Sequence, residues 1–256
     1  MAKRVVAKRP VRRVAAGRSA KPATPTKPSK APKKQAPAQI LALYTRLREH
    51  HADAHCELDH RNAFELVCAT VLSAQSTDVA VNKVTPALFA KYPNAEALAA
   101  ATQDEVEALV SRIGMFRMKS KSLIGLAKRI VEKHGGAVPQ TLAELVELPG
   151  VGRKTANVVL GVAFGKSEGI VVDTHVQRIS QRLGWTKETE PVEIEQDLIK
   201  VIPKKDWDNV SHVLIFHGRR ICFARSPECD KCPVNDACPS AFEAENIGRK
   251  PSRPPR

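Results

Sequence analysis

The residue in this sequence best placed to do chemistry is Lys154. It stands in Leu148-Pro149-Gly150-Val151-Gly152-Arg153-Lys154-Thr155, a glycine-punctuated turn between two apolar helical patterns. Gly150 and Gly152 admit backbone angles that other residues avoid, so consecutive N–H groups point outward together beside the positive end of the next helix. An anion such as a phosphate fits there. An amine held at that helix end is disfavoured as ammonium and becomes a nucleophile near neutral pH. Downstream, Ile170-Val171-Val172-Asp173-Thr174-His175 puts a carboxylate at the end of an apolar run and the start of a helix. Displacement at a sugar anomeric carbon needs such a pair. The amine attacks, while the carboxylate accepts its proton and stabilises the cation that develops as a base departs. A phosphate grip beside a reactive amine points to an enzyme that works on nucleic acid. Plainer readings stay open: the turn as a connector, Lys154 as a phosphate contact or solvated first-turn residue, Asp173 as a helix N-cap and His175 as a structural hydrogen-bonding residue. A nucleotide-binding P-loop is excluded, because Arg153 stands where that loop has its last glycine and no buried strand precedes it.

A second constellation is Cys222-x6-Cys229-x2-Cys232-x5-Cys238, in a loop that also holds Pro227, Pro233 and Pro239. Four thiols in so short a loop read as a metal site rather than a disulfide pair in a reducing compartment. On spacing alone zinc and an iron–sulfur cluster are equal candidates, although the single Cys-x2-Cys pair does not make the usual zinc ribbon. Cys68 falls on the apolar stripe of its helix and reads as core; Cys56 offers nothing specific.

These residues need a scaffold, and 256 residues with 43% hydrophobic content suffice for one or two domains with a real core. The net charge of +14 is unevenly spread: residues 1–36 hold twelve Lys or Arg and no acid, and residues 247–256 hold four with no acid. The intervening chain is close to neutral, so a nucleic-acid site there depends on local arrangement. Residues 1–36, rich in Lys, Arg, Ala and Pro, read as a disordered basic arm that adds salt-sensitive, sequence-blind DNA affinity. Pro22, Pro25, Pro28 and Pro32 argue against an amphipathic targeting helix. No stretch is apolar enough to span a bilayer and no secretory signal is present, so a reducing intracellular compartment is expected.

From Pro37 onward the apolar spacing is helical almost everywhere, and strand signals are nearly absent. Capping boxes mark Thr102 with Glu105 and Thr141 with Glu144, while Gly114, Gly135 and Gly184 close segments. Further helical runs cover 77–91, 117–134, 153–164, 174–183, 190–201 and 206–219, with an extended connection from Glu168 to Val172. The expected architecture is all-α, with about ten short helices joined by brief loops.

Together, the Leu148 to Asn157 turn and helix start, Val172-Asp173-Thr174-His175, Leu72-Ser73-Ala74-Gln75-Ser76-Thr77-Asp78 and the cysteine spacing resemble the bacterial endonuclease III family. These are bifunctional DNA glycosylases and apurinic/apyrimidinic lyases of the helix-hairpin-helix DNA glycosylase superfamily. The resemblance runs from about residue 38 to about 240, in four motifs of matching order. It implies a two-domain fold: a six-helix domain with the helix-hairpin-helix at 56–166, and an iron–sulfur cluster domain from 37–55 and 167–241. The basic arm at 1–36 and a flexible basic tail at 242–256 flank them. The resemblance also implies a [4Fe–4S] cluster on Cys222, Cys229, Cys232 and Cys238, ordering the loop so that Lys231 and Arg225 meet phosphates.

The implied roles follow position by position. Lys154 attacks the deoxyribose of a flipped-out nucleotide and forms a Schiff base, with Asp173 assisting. Gln75 fills the vacated space and Met115 wedges from the other side; Asp78 lines the pocket or caps the following helix. Leu148, Gly150, Gly152, Arg153 and Lys231 bind DNA. The implied activity is base excision repair of oxidised pyrimidines with strand cleavage by β-elimination, on double-stranded DNA with damaged pyrimidines or abasic sites. A monomer without membrane association, cytoplasmic and nucleoid-associated in a bacterium, is expected. Two rivals remain. A monofunctional adenine glycosylase of the superfamily usually lacks the lysine and carries a further C-terminal domain. A non-catalytic helix-hairpin-helix DNA-binding protein would bind equally well but leave abasic DNA intact.

Overall fold

The computed structural model describes residues 32–248; the expected arm at 1–31 and the end of the expected tail at 249–256 lie outside them. Among the described residues there are twelve α-helices and no strand. They are α1 (Pro37–His50), α2 (Ala63–Ser73), α3 (Asp78–Asn82), α4 (Thr85–Lys91), α5 (Ala95–Ala99), α6 (Gln103–Val110), α7 (Phe116–His134), α8 (Leu142–Val146), α9 (Arg153–Phe164), α10 (Thr174–Arg182), α11 (Pro191–Ile199) and α12 (Trp207–Arg220). No described helix is long and apolar enough to cross a membrane.

The helices bury two separate cores. Leu66, Leu72, Leu88, Leu98, Leu123, Leu126, Leu145 and Leu160, from α2 to α9, belong to the first. The second joins Leu43 and Leu47 of α1 to Ile179, Leu198 and Leu214 of α10 to α12, together with Trp185. The first helix in sequence thus packs with the last three, and Cys222, Cys232 and Cys238 lean against that second core.

Local chemistry explains the boundaries. Asn62, Thr77, Asn94, Thr102 and Thr141 each accept a hydrogen bond from a backbone N–H of the helix they precede, relieving donors that have no partner within the helix. At Thr102 the Glu105 side chain returns the bond and completes the capping box. The single run expected over 77–91 is broken at Lys83 and Val84. Pro86 lies in the first turn of α4, and without an N–H it cannot continue the α3 ladder.

Three residues assigned by composition to the arm are fixed to the second core. The Gln35 backbone N–H donates to the Gly184 carbonyl at 2.8 Å, its side-chain amide donates to the Ala237 carbonyl at 2.9 Å, and Lys34 pairs with Asp197 at 3.0 Å. The Lys33 carbonyl lies 2.6 Å from where a Cβ on Gly184 would stand. The fixed chain therefore begins ahead of Pro37, because these polar groups find partners at the end of α10 and beside the cysteine loop.

Candidate active site

The turn between α8 and α9 leads into Lys154. Gly150 adopts φ +82°, and a Cβ there would come within 2.9 Å of the Ser122 Cβ, so both backbone and space require glycine. Gly152 differs from the expectation for it: it caps α9 at φ −94°, ordinary backbone, and nothing lies within 4 Å of a Cβ placed on it. What Gly152 keeps is open space in front of the turn. Leu148 is 2% exposed, so its side chain belongs to the first core and only its backbone faces the turn. Lys154 follows in the first turn of α9 and is exposed.

Asp173 starts α10. Its Oδ1 accepts from the backbone N–H groups of His175 and Val176, at 2.8 Å each. The aspartate is therefore an N-cap, as its position predicts, and is half-buried with its carboxylate held in one orientation. Lys154, Asp173, Asp78 and Gln75 line one cleft of about 330 Å³ between the two cores, walled by α9 on one side and α12 on the other. Burial, and then the Asp173 carboxylate, push the Asp78 carboxyl up, against the pull of His175 and Lys154. Burial holds the His175 imidazole below its ordinary value, although Asp173 acts the other way.

Of the two expected wedge residues, Gln75 lines this cleft, whereas Met115 does not. Gln75, exposed, and Met115, 39% exposed, are both left-handed, at φ 55° and 57°. Few non-glycine residues adopt that region, and each here stands at a corner between helices. Arg153 reaches the buried Glu195 at 3.1 Å and Lys231 reaches Glu228 at 2.9 Å, so both cations carry an acidic neighbour.

Five side chains near the sites were not singled out by sequence. Arg219 on α12 bridges Asp78, at 2.9 Å, and Glu57 across the cleft wall. Arg178 and Arg182 lie one turn apart on α10, 6% and 1% exposed. Arg182 donates to the Cys222 sulfur at 3.3 Å and to the Phe223, Ala224 and Ile247 carbonyls; Arg178 donates to the Gly218 and Cys222 carbonyls. Two arginines interleaved with Val176 and Ile179 on a buried stripe were the available signal. His51 and His217 form a buried pair, Nε2 to Nδ1 at 3.1 Å, and the other His217 nitrogen lies 3.7 Å from the Cys232 sulfur.

The four cysteines of the loop are free and line a single apolar cavity with Arg182 and His217. The four cysteines thus share the wall of one space. An all-sulfur donor set around a cavity, with two buried guanidinium groups beside it, fits an anionic iron–sulfur cluster. Burial, followed by the charges of Cys222 and Cys229, pushes the Cys232 thiol up to about 11. Burial, with the charges of the other three cysteines adding to it, likewise pushes the half-buried Cys238 thiol to about 11. Iron must displace those protons to bind.

Comparison with known proteins agrees with this picture. Residues 68–204 match the model of the HhH-GPD superfamily base excision DNA repair proteins, and residues 222–238 match the iron–sulfur binding domain of endonuclease III. The chain is 52% identical to endonuclease III of Synechocystis sp., over 82% of this chain and 95% of that protein. It is 50% identical to endonuclease III of Bacillus subtilis, over 82% and 96%. Among solved structures it is similar to a trapped endonuclease III–DNA covalent intermediate, an estranged-adenine complex, at 44% identity and a TM-score of 0.76, over 82% of this chain and 98% of that one.

Proposed function

Because the chain belongs to the endonuclease III family of the helix-hairpin-helix base excision repair superfamily, we propose that it is a DNA glycosylase and abasic-site lyase working through Lys154 and Asp173. The observation that carries the assignment is the single cleft lined by Lys154, the helix-capping Asp173 and Asp78.

The chemistry follows from those groups. A damaged nucleotide swings out of the duplex into the cleft. The Lys154 amine, its proton passed to Asp173, attacks the sugar C1′; the bond to the base breaks, and the base leaves with the electron pair and takes up a proton. Asp173 stabilises the positive charge that grows on the sugar. Ring opening gives an imine between Lys154 and C1′. Loss of a C2′ proton then expels the 3′ phosphate by β-elimination, and water releases the enzyme. Gln75 and Met115 occupy the emptied stack and offset part of the unstacking cost, usually about a few kcal/mol. The open face of the turn at Gly150 and Gly152, with the start of α9 behind it, receives a DNA phosphate. The substrates are oxidised pyrimidines and abasic sites in double-stranded DNA, and the protein acts as a monomer.

The protein carries a [4Fe–4S] cluster. Cys222, Cys229, Cys232 and Cys238 would hold it, and ligation there would tie together the loop that carries Arg225 and Lys231. Incision assays on duplexes containing thymine glycol or an abasic site test the assignment. Wild-type protein cuts both, whereas Lys154→Ala binds them and cuts neither. Binding without incision by the iron-loaded wild type would leave only a DNA-binding module.

A further inference from the structure

Lys119 is a lysine in the wrong place for a surface residue. It lies in the second turn of α7 and is 4% exposed. Its ammonium donates to the Ser76 hydroxyl at 2.8 Å, and burial alone acts on it, pulling its pKa down. A buried cation with a neutral partner costs stability that an apolar residue at the site would not. The backbone of Lys119 belongs to α7, whose N-cap is Met115, and its side chain crosses to the corner before α3. Its backbone N–H donates to the Met115 carbonyl at 3.0 Å, while its side chain ends on Ser76, the residue next to Gln75. The corner holding Gln75 is closed at its base by the Ser76 N–H donating to Ser73 at 2.9 Å. One residue therefore spans the two left-handed corners that carry Gln75 and Met115.

We infer that Lys119 is a positioning residue: it fixes the spacing between the two corners, so that Gln75 and Met115 enter the duplex together when the nucleotide is extruded. This rests on the reading of Gln75 and Met115 as the inserted side chains. Without the brace each corner still forms, but the two move independently and the duplex restacks before the base reaches the cleft. The cost falls on extruding a paired base and spares a sugar that is already outside the stack. Lys119 touches neither the sugar nor Lys154.

Lys119→Met keeps the stem and removes the ammonium; Ser76→Ala removes its partner and serves if the first variant folds poorly; Lys119→Arg keeps charge and donors. Two readouts separate positioning from mere support. The first is single-turnover base release from a paired thymine glycol, compared with incision of an abasic site in a bulge. The second is the fluorescence of 2-aminopurine opposite the lesion, read on a Lys154→Ala background so that no turnover occurs. Lys119→Met and Ser76→Ala should slow release of the paired base roughly tenfold or more. They should also blunt the 2-aminopurine response, leave bulge incision unchanged, and be largely rescued in the Lys119→Arg protein. Equal losses on both substrates, or no loss with a full 2-aminopurine response, would overturn the proposal. Gln75→Ala and Met115→Ala supply the control. If they abolish the response while Lys119→Met does not, this proposal alone fails; if they leave it intact, the insertion reading fails and takes this proposal with it.

Discussion

Asp173 binds the first turn of α10 through one oxygen: Oδ1 accepts both the His175 and the Val176 N–H at 2.8 Å. A single side chain thus holds a helix start and presents a carboxylate to the cleft that contains Lys154. The two duties separate by substitution. Asparagine caps about as well as aspartate, so Asp173→Asn should keep the thermal midpoint while base release falls by roughly 10²- to 10⁴-fold. Asp173→Ala should lose activity and also about 1 kcal/mol of stability. Differential scanning calorimetry beside single-turnover base release checks both, and an Asp173→Asn protein with unimpaired base release would remove Asp173 from the chemistry.

The two glycines of the turn should respond differently. Gly150→Ala forces an L side chain to φ +82° and into Ser122, so it should cost about 1–3 kcal/mol by denaturant unfolding. Gly152→Ala meets nothing within the chain and should leave stability nearly unchanged while weakening DNA binding, because the added methyl stands in the space in front of the turn. Equal destabilisation by the two would contradict the assignment of that space.

Much of this was legible in advance, for a physical reason. Caps, apolar stripes and the cysteine spacing are local, so α9, α10 and the starts at Thr102 and Thr141 follow from neighbouring residues alone. What escaped is non-local. Arg219 meets Asp78 across 141 positions of chain, and His51 meets His217 across 166, so no spacing rule could pair them. Leu148 sits inside the turn that the sequence reads as a phosphate grip, yet its side chain fills the first core; a motif does not separate backbone roles from side-chain roles. The α3–α4 break was readable, since Pro86 stood in the run, but helical periodicity persisted through it.

Acid should loosen the second core through its buried histidines. Burial holds His51 down at about 4, against 6.5 for a free imidazole. Below pH 6.5 the unfolded chain takes up a proton that the folded chain refuses, so stability is full above that pH and is lost progressively down to about 4. The thermal midpoint of the cluster-loaded protein should fall between pH 7 and pH 5, and more gently in His51→Gln. Identical slopes for the two proteins would show that His51 does not contribute.

The cluster should staple its loop without building the first core. Cys238→Ser should lose the iron–sulfur absorbance and expose residues 222–241 to protease, while the fragment containing α2 to α9 survives, because the cysteines lean on the second core only. Loss of both cores in limited proteolysis would contradict that division.

The central claim is that the Lys154 amine bonds to the sugar. Sodium borohydride added during turnover on abasic DNA reduces an imine to a stable amine, and peptide mapping by mass spectrometry locates the adduct. The adduct is expected on the peptide holding Lys154 and should be absent in Lys154→Ala, which still binds the duplex. A trapped complex in Lys154→Ala, or an adduct mapped to another amine in the wild type, would contradict the account.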